Sequence, residues 1–313
     1  MKKKILFIVV LLFCHCFIFS EGYSLFMKDG KYGIISNEKK IKVQPIYNWI
    51  SINSELIVCS RNRKIEIYDT SLNLKYSPEM RVNINGYDKN KIFLTDSLNG
   101  KKYVLDVWTG EVKDYIPIYM EEHGFSDNVQ LVIEKNKSAP LYSIVDREGN
   151  VLLTDIEQAH SVFSDGMLAV IMEDGKSGFV NTKGKFVFEA DFYIDPEDLG
   201  PRKYPSISYG FSEGKVLVKN NEKKWVQYDI KGKKKYLPEN IIPIDPYYEN
   251  GLLLVKDLET EKMGYMNQKL EMVIPCKFEG ARRFVGKYAV IIYEGKDAII
   301  DSKGNISLYE DLK

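Results

Sequence analysis

The chain is short of the residues on which most catalytic and metal chemistry depends. It has 4 cysteines and 3 histidines in 313 residues. Cys14 and Cys16 fall in an apolar N-terminal stretch, and Cys59 and Cys276 are far apart. That excludes a disulfide framework and a cysteine-rich zinc module. Cys59 follows Leu56–Ile57–Val58 and Cys276 follows Ile274–Pro275, settings in which a thiol acts as a small buried hydrophobe. Spacing alone leaves open whether they pair. His123 and His160 have no second His or Cys at ligand spacing, so both read as surface or connector residues. No metal and no cofactor is expected.

Net charge is also missing. Lys+Arg and Asp+Glu are 44 each, which leaves no field to gather nucleic acid or anionic lipid. The basic cluster Lys231–Gly232–Lys233–Lys234–Lys235 reads as a charged hairpin tip that discourages edge pairing, and no nucleic-acid partner is expected. After residue 20, no window keeps apolar residues at helical spacing for three turns. The glycines sit in hairpin turns rather than in a strand–loop–helix phosphate cradle.

The one long apolar run is at the start. Met1–Lys2–Lys3–Lys4 is basic, Ile5 to Phe13 is unbroken apolar sequence, and Cys14 to Ser20 leads to a cut after Ser20. This is the pattern of a secretory signal peptide, residues 1–20, ahead of a mature domain, residues 21–313. Cleavage leaves 41 basic and 44 acidic residues, a net charge of −3. The expected location is exported: periplasm, outer surface or secreted. Membrane contact would follow only from an uncleaved anchor or a lipidated Cys14.

What is present is repetition. The phrase Lys176–Ser177–Gly178–Phe179–Val180–Asn181, closed by a turn at Lys183–Gly184, returns as Lys31–Tyr32–Gly33–Ile34–Ile35–Ser36 and as Lys262–Met263–Gly264–Tyr265–Met266–Asn267. The polar residue closing each central strand falls at Ser36, Asp69, Asp106, Asp146, Asn181, Asp229, Asn267 and Asp301. The intervals are 33, 37, 40, 35, 48, 38 and 34, in the range of propellers and solenoids. Each unit opens on an apolar strand, Leu252 to Val255 being the purest, and several close on a strand running into Pro45, Pro117 or Pro275. A strand apolar at every position must be covered on both faces, so small sheets stacked face to face are expected. The 21 tyrosines and 15 phenylalanines supply bulk for such interfaces.

The phrase Gly–aromatic–aliphatic–Asp/Asn–x–x–Gly, followed by a strand ending in Ile–Pro, resembles the WG (KWG) repeat family. Gly178–Phe179–Val180–Asn181 with Gly184, and Gly264–Tyr265–Met266–Asn267 with Val273–Ile274–Pro275, carry the likeness. Phe163–Ser164–Asp165–Gly166 and Phe211–Ser212–Glu213–Gly214 are similar to that family's repeat opening. The Trp of the family name survives at Lys224–Trp225, with Val226 in place of the Gly. The resemblance implies an exported bacterial β-repeat scaffold that binds, with no catalytic residues to carry over.

The expected fold is therefore all-β: seven or eight small three- or four-stranded units, with a propeller-like ring favoured over an open hairpin solenoid. The expected function is a non-enzymatic binding or scaffold protein of the cell envelope, meeting a protein or glycan through loops. The alternative is an exported propeller-type hydrolase acting on glycans, which would need carboxylates from several units around one pocket. The longest interval holds the stretch from Ala190 to Pro205, where three prolines and a glycine mark an irregular insertion. Its Phe192, Tyr193, Asp195, Asp198, Arg202 and Tyr204 are the candidate binding residues. Asp191, Asp195 and Asp198 do not have the alternate spacing of a calcium loop. Excision of residues 192–204 is expected to spare folding and weaken partner capture.

Overall fold

The computed structural model describes residues 22–52, 56–62, 64–77, 82–88, 91–96, 98–106, 109–114, 128–134, 141–160, 163–193 and 209–312. The N-terminal apolar segment, residues 1–20, lies outside them. Seven antiparallel sheets are formed, and strand order follows chain order in each. The first holds β1 (Tyr23–Lys28), β2 (Lys31–Ser36) and β3 (Ile41–Tyr47), and the second β4 (Trp49–Ile52), β5 (Leu56–Arg61), β6 (Lys64–Asp69) and β7 (Leu74–Tyr76). The third holds β8 (Val82–Asp88), β9 (Lys91–Asp96), β10 (Lys102–Asp106) and β11 (Val112–Asp114). The fourth runs through β12 (Val129–Glu134), β13 (Leu141–Asp146), β14 (Val151–Ala159), β15 (Met167–Met172), β16 (Ser177–Asn181) and β17 (Phe186–Glu189). The fifth holds β18 (Lys215–Lys219), β19 (Trp225–Asp229) and β20 (Lys234–Tyr236). The sixth holds β21 (Ile241–Glu249), β22 (Leu252–Asp257), β23 (Met263–Asn267) and β24 (Met272–Phe278). The seventh holds β25 (Gly280–Ala281), β26 (Tyr288–Tyr293), β27 (Lys296–Asp301) and β28 (Ile306–Leu308), followed by one 3-10 turn, Tyr309–Asp311.

The sheets stand in a ring, a β-propeller. Counted by sheets it has seven blades; counted by repeats it has eight units, because the fourth sheet contains both Asp146 and Asn181. The merger has a local cause. The first half of β14 pairs with β13, its second half pairs with β15, and Asp155 between them has φ 60°. The same passage from one unit to the next is interrupted elsewhere, at Asn48 between β3 and β4 and at Glu279 between β24 and β25.

The doubly covered strands follow from period-two geometry. Leu252 and Leu254 of β22 pack with the seventh sheet, while Leu253 and Val255 pack with the fifth. Met167 and Ala169 of β15 face β18 and β19, while Leu168 and Val170 face the β12–β13 side. Leu56 and Val58 of β5 face the third sheet, while Ile57 and Cys59 face the first. Successive side chains point to opposite faces, so one apolar run serves two interfaces. Each fully buried aliphatic side chain contributes about 1.5–3 kcal/mol, which no single sheet could collect alone.

The polar residue that closes each central strand holds its own turn. Asp301 Oδ1 accepts the N–H groups of Lys303 at 3.0 Å and Asn305 at 2.9 Å. Asp229 does the same for Lys231 and Lys233, both at 2.9 Å, and Asn267 for Lys269 and Glu271 at 2.9 and 3.0 Å. Asn, Asp and Ser recur there because a short acceptor can satisfy the turn's amides. A second row of turns joins neighbours. Asp165–Gly166, Glu213–Gly214 and Asn250–Gly251 all have positive φ at both positions, the geometry of a two-residue hairpin. Asp165 accepts the Gly214 N–H at 2.7 Å, and Glu213 accepts the Gly251 N–H at 2.8 Å. The Phe–Ser–Asp/Glu–Gly phrase is thus a staple between units.

The ring closes where the first and seventh sheets meet. Phe26 and Ile35 pack with Tyr288 and Ile299, and Leu25 lies in one cluster with Val290. Ser24 Oγ accepts the N–H groups of Lys287 at 2.9 Å and Tyr288 at 3.3 Å, and Tyr288 donates its hydroxyl to the Asn37 carbonyl at 3.0 Å. No described strand from one end of the chain enters the sheet of the other.

Candidate functional site

The turn from β18 to β19 is built by Asn220. Its side-chain oxygen accepts the Lys224 N–H at 2.9 Å, its carbonyl accepts the Lys223 N–H at 2.8 Å, and Lys223 sits at φ 61°. This turn projects Lys219, Lys223 and Lys224 beside Trp225. The chain leaving β20 is then pinned to the same edge, because Leu237 donates its N–H to the Trp225 carbonyl at 3.0 Å. On the neighbouring sheet, Leu258 donates its N–H to the Asn240 carbonyl at 2.8 Å, which folds the β22–β23 turn against the start of β21. A groove of about 540 Å³ lies between these pieces.

Its floor is apolar and aromatic: Trp225, Tyr236, Leu237, Ile241, Ile242 and Leu258. Leu237 and Ile241 are buried, whereas Tyr236 is 50% exposed and Leu258 49% exposed. Lys219, Lys223 and Lys224 line one wall, and Glu222 and Glu239 also line the groove. Lys224 is answered by Glu222 at 3.2 Å. Lys219 and Lys223 instead lie over the Tyr193 ring, 5.3 and 5.1 Å from its centre.

Tyr193 connects this groove to the insertion expected to bind. Its N–H donates to the Lys219 carbonyl at 2.7 Å, and its own carbonyl accepts the Tyr209 hydroxyl at 2.9 Å. Both described flanks of the insertion are therefore tied down beside β18. Phe192 turns the other way. It is buried among Phe179, Phe211 and Val218, edge-on to Phe179 at a centroid distance of 5.4 Å. Phe192 is a packing residue between units, and an excision starting at residue 192 would remove part of the core. Asp195, Asp198, Arg202 and Tyr204 lie outside the described residues.

A second concentration of charge stands at the end of β21. Asp245 pairs with Arg283 at 3.1 Å across to the seventh sheet. Burial pushes the Glu249 carboxyl up to about 8; Arg283 draws it back, and Glu213 and Asp245 push it further. Burial likewise raises Asp245, against the pull of Arg283. Among the described residues, no group of three or more His, Cys, Asp and Glu side chains could hold a metal ion. His160 is buried just after β14, its N–H given to the Ala169 carbonyl at 2.9 Å, and His123 lies outside the described residues. Cys59 and Cys276 are both free, and burial pushes the Cys59 thiol up to about 12. The lysines of the 231–235 cluster are exposed around the β19–β20 turn.

Gly264 stands three residues before Asn267, where β24 bulges past β23, and the sequence around it matches a known repeat over residues 263–296, the WG containing repeat. That match covers 34 of the 313 residues. The matched residues run from the start of β23 to the start of β27, so the unit of sequence is offset from the unit of sheet. No curated protein matches the chain. Among solved structures it is similar to BamB from Moraxella catarrhalis, at 12% identity over 92% of this chain and 90% of that one, with a TM-score of 0.40. Hsv2p of Kluyveromyces lactis is similar at 10% identity over 79% and 91%, TM-score 0.43. The computationally designed Ika8 protein is similar at 12% identity over 93% and 97%, TM-score 0.38.

Proposed function

We propose that this WG-repeat propeller is a non-enzymatic binding or scaffold module of the cell envelope, exported by its N-terminal segment. It meets a protein or glycan through the rim beside β18–β20. The observation that carries this reading is the meeting of three features at one place. The insertion is anchored there through Tyr193, the lysines of the β18–β19 turn project there, and the exposed rings and side chains of Tyr236 and Leu258 border the same groove. Elsewhere, the acidic and amide side chains that mark the repeats are committed to their own turns or to the next unit. A binding surface needs exposed anchors on a rigid support, and both are present here.

The test compares the exported protein with a variant lacking residues 194–204, which leaves Phe192 and Tyr193 in place. Both are presented to isolated envelope proteins and to purified envelope glycans. Capture by the parent that the folded variant loses supports the reading. Equal capture by both removes the insertion from the site, and turnover of any glycan overturns the non-enzymatic assignment.

A further inference from the structure

Resting on that reading, we propose that the groove between Trp225 and Leu258 is the docking site for an extended acidic peptide of a partner protein, with a bulky apolar side chain flanked by carboxylates. The volume of about 540 Å³ suits a few side chains. The floor asks for an apolar one. Tyr236 and Leu258 are each about half exposed, and covering them would add burial that the free chain lacks.

Charge specifies what flanks it. Lys219 and Lys223 have no carboxylate partner among the described residues, and the Tyr193 ring holds both on one wall. Lys224 is already compensated by Glu222. Glu239 also lines the groove, so three lysines face two carboxylates there, and the remaining excess of positive charge over an apolar floor is complementary to alternating acidic and apolar side chains.

Trp225 lines the groove and is one of three Trp residues, so the part of the emission change that Trp225→Phe removes reports occupancy. The full exported protein is titrated with three probes. One is a blocked ten-residue peptide alternating Asp with Leu and Phe, one is the same peptide with Lys for Asp, and one is polygalacturonate. The acidic peptide is expected to shift Trp emission, to weaken with salt, and to bind at least about tenfold more tightly than the basic peptide. Trp225→Phe should lose the emission change. Leu258→Asp, and separately Lys219→Glu with Lys223→Glu, should each weaken the acidic peptide by about tenfold or more. Leu258 and Lys223 are exposed and Lys219 is half-buried, and a circular-dichroism spectrum matching the parent confirms the fold. Acidic-peptide affinity unchanged in both variants, or preference for the polysaccharide, overturns the proposal. Envelope capture that survives in Leu258→Asp would sink the groove alone and leave the binding-module reading in place.

Discussion

Gly264 and Glu66 occupy the same place in two copies of the repeat, three residues before Asn267 and Asp69. The contrast between them explains what the repeat's glycine is for. In the sixth sheet, β24 runs past position 264, pairing Phe278 with Met263 and Ile274 with Tyr265 around a bulge. A Cβ at 264 would stand 2.6 Å from the Ile274 carbonyl oxygen and 2.7 Å from the Cys276 nitrogen. Those are backbone atoms and cannot swing aside. In the second sheet the last pair of β7 is Tyr76 with Ile67, and among the described residues no third-strand residue is paired with Glu66. The carboxylate fills the space and accepts the hydroxyls of Tyr47 and Tyr68, with Arg61 at 3.5 Å. Where the third strand reaches toward the next unit, the position must be small; where it stops, a side chain can be supported from the neighbouring sheet.

That comparison can be broken experimentally. Gly264→Val should cost about 3 kcal/mol, because the overpacked atom meets main chain. Equilibrium unfolding in denaturant measures it, and a variant as stable as the parent would refute the close-approach account. Glu66→Ala should cost less, about 1–2 kcal/mol, by leaving the Tyr47 and Tyr68 hydroxyls without their shared acceptor. If Glu66→Gly were more stable than the parent, the carboxylate would be a tolerated defect rather than a substitute.

Acidity sharpens the same contrast from another side. Glu249 is raised to about 8 from an ordinary 4.5, so the folded state holds its proton more tightly than the unfolded chain. Its contribution is complete below pH 4.5 and is lost as pH rises through about 8. Glu249→Gln should therefore flatten the decline in melting temperature across that interval. Asp69 has the opposite sign. Burial pushes it up, but the hydrogen bonds from Asn73 and the contact with Lys75 outweigh this and hold it at about 2. Its stabilising contribution is present above the ordinary value of 3.8 and fades as pH falls toward 2, so Asp69→Asn should reduce the acid sensitivity of the parent. The smallest effect is expected at Asp301→Ala, about 1 kcal/mol, because the freed amides of Lys303 and Asn305 are exposed and can turn to water.

The ring of small sheets was legible because its signals are local. Runs such as Leu252–Val255 announce burial on both faces, and Asp or Asn after each central strand announces a turn. The choice between seven and eight was not legible, since it rests on whether β14 continues through Asp155 while β3 and β4 break at Asn48. The groove was harder still. Its residues come from three separated stretches, around 219–225, 236–242 and 258, with no spacing to join them. One signal was present: Leu258 is a lone apolar residue between Asp257 and Glu259 in a charged turn. Phe192 misled for a complementary reason. The prolines and aspartates after it mark an irregular loop, but a ring's direction at the edge of a loop is set by the neighbouring unit, here through Phe179 and Phe211.

Every junction between consecutive units is crossed by the chain itself, except the one joining Ser24 and Phe26 to Tyr288 and Ile299. That junction is a seam held by side chains and a few hydrogen bonds, with no covalent thread to limit its parting. Under tension or heat the circle should therefore part at this point first and become a curved ribbon before any blade unravels. A molecule gripping Asn37 and Tyr288 together would act as a clasp.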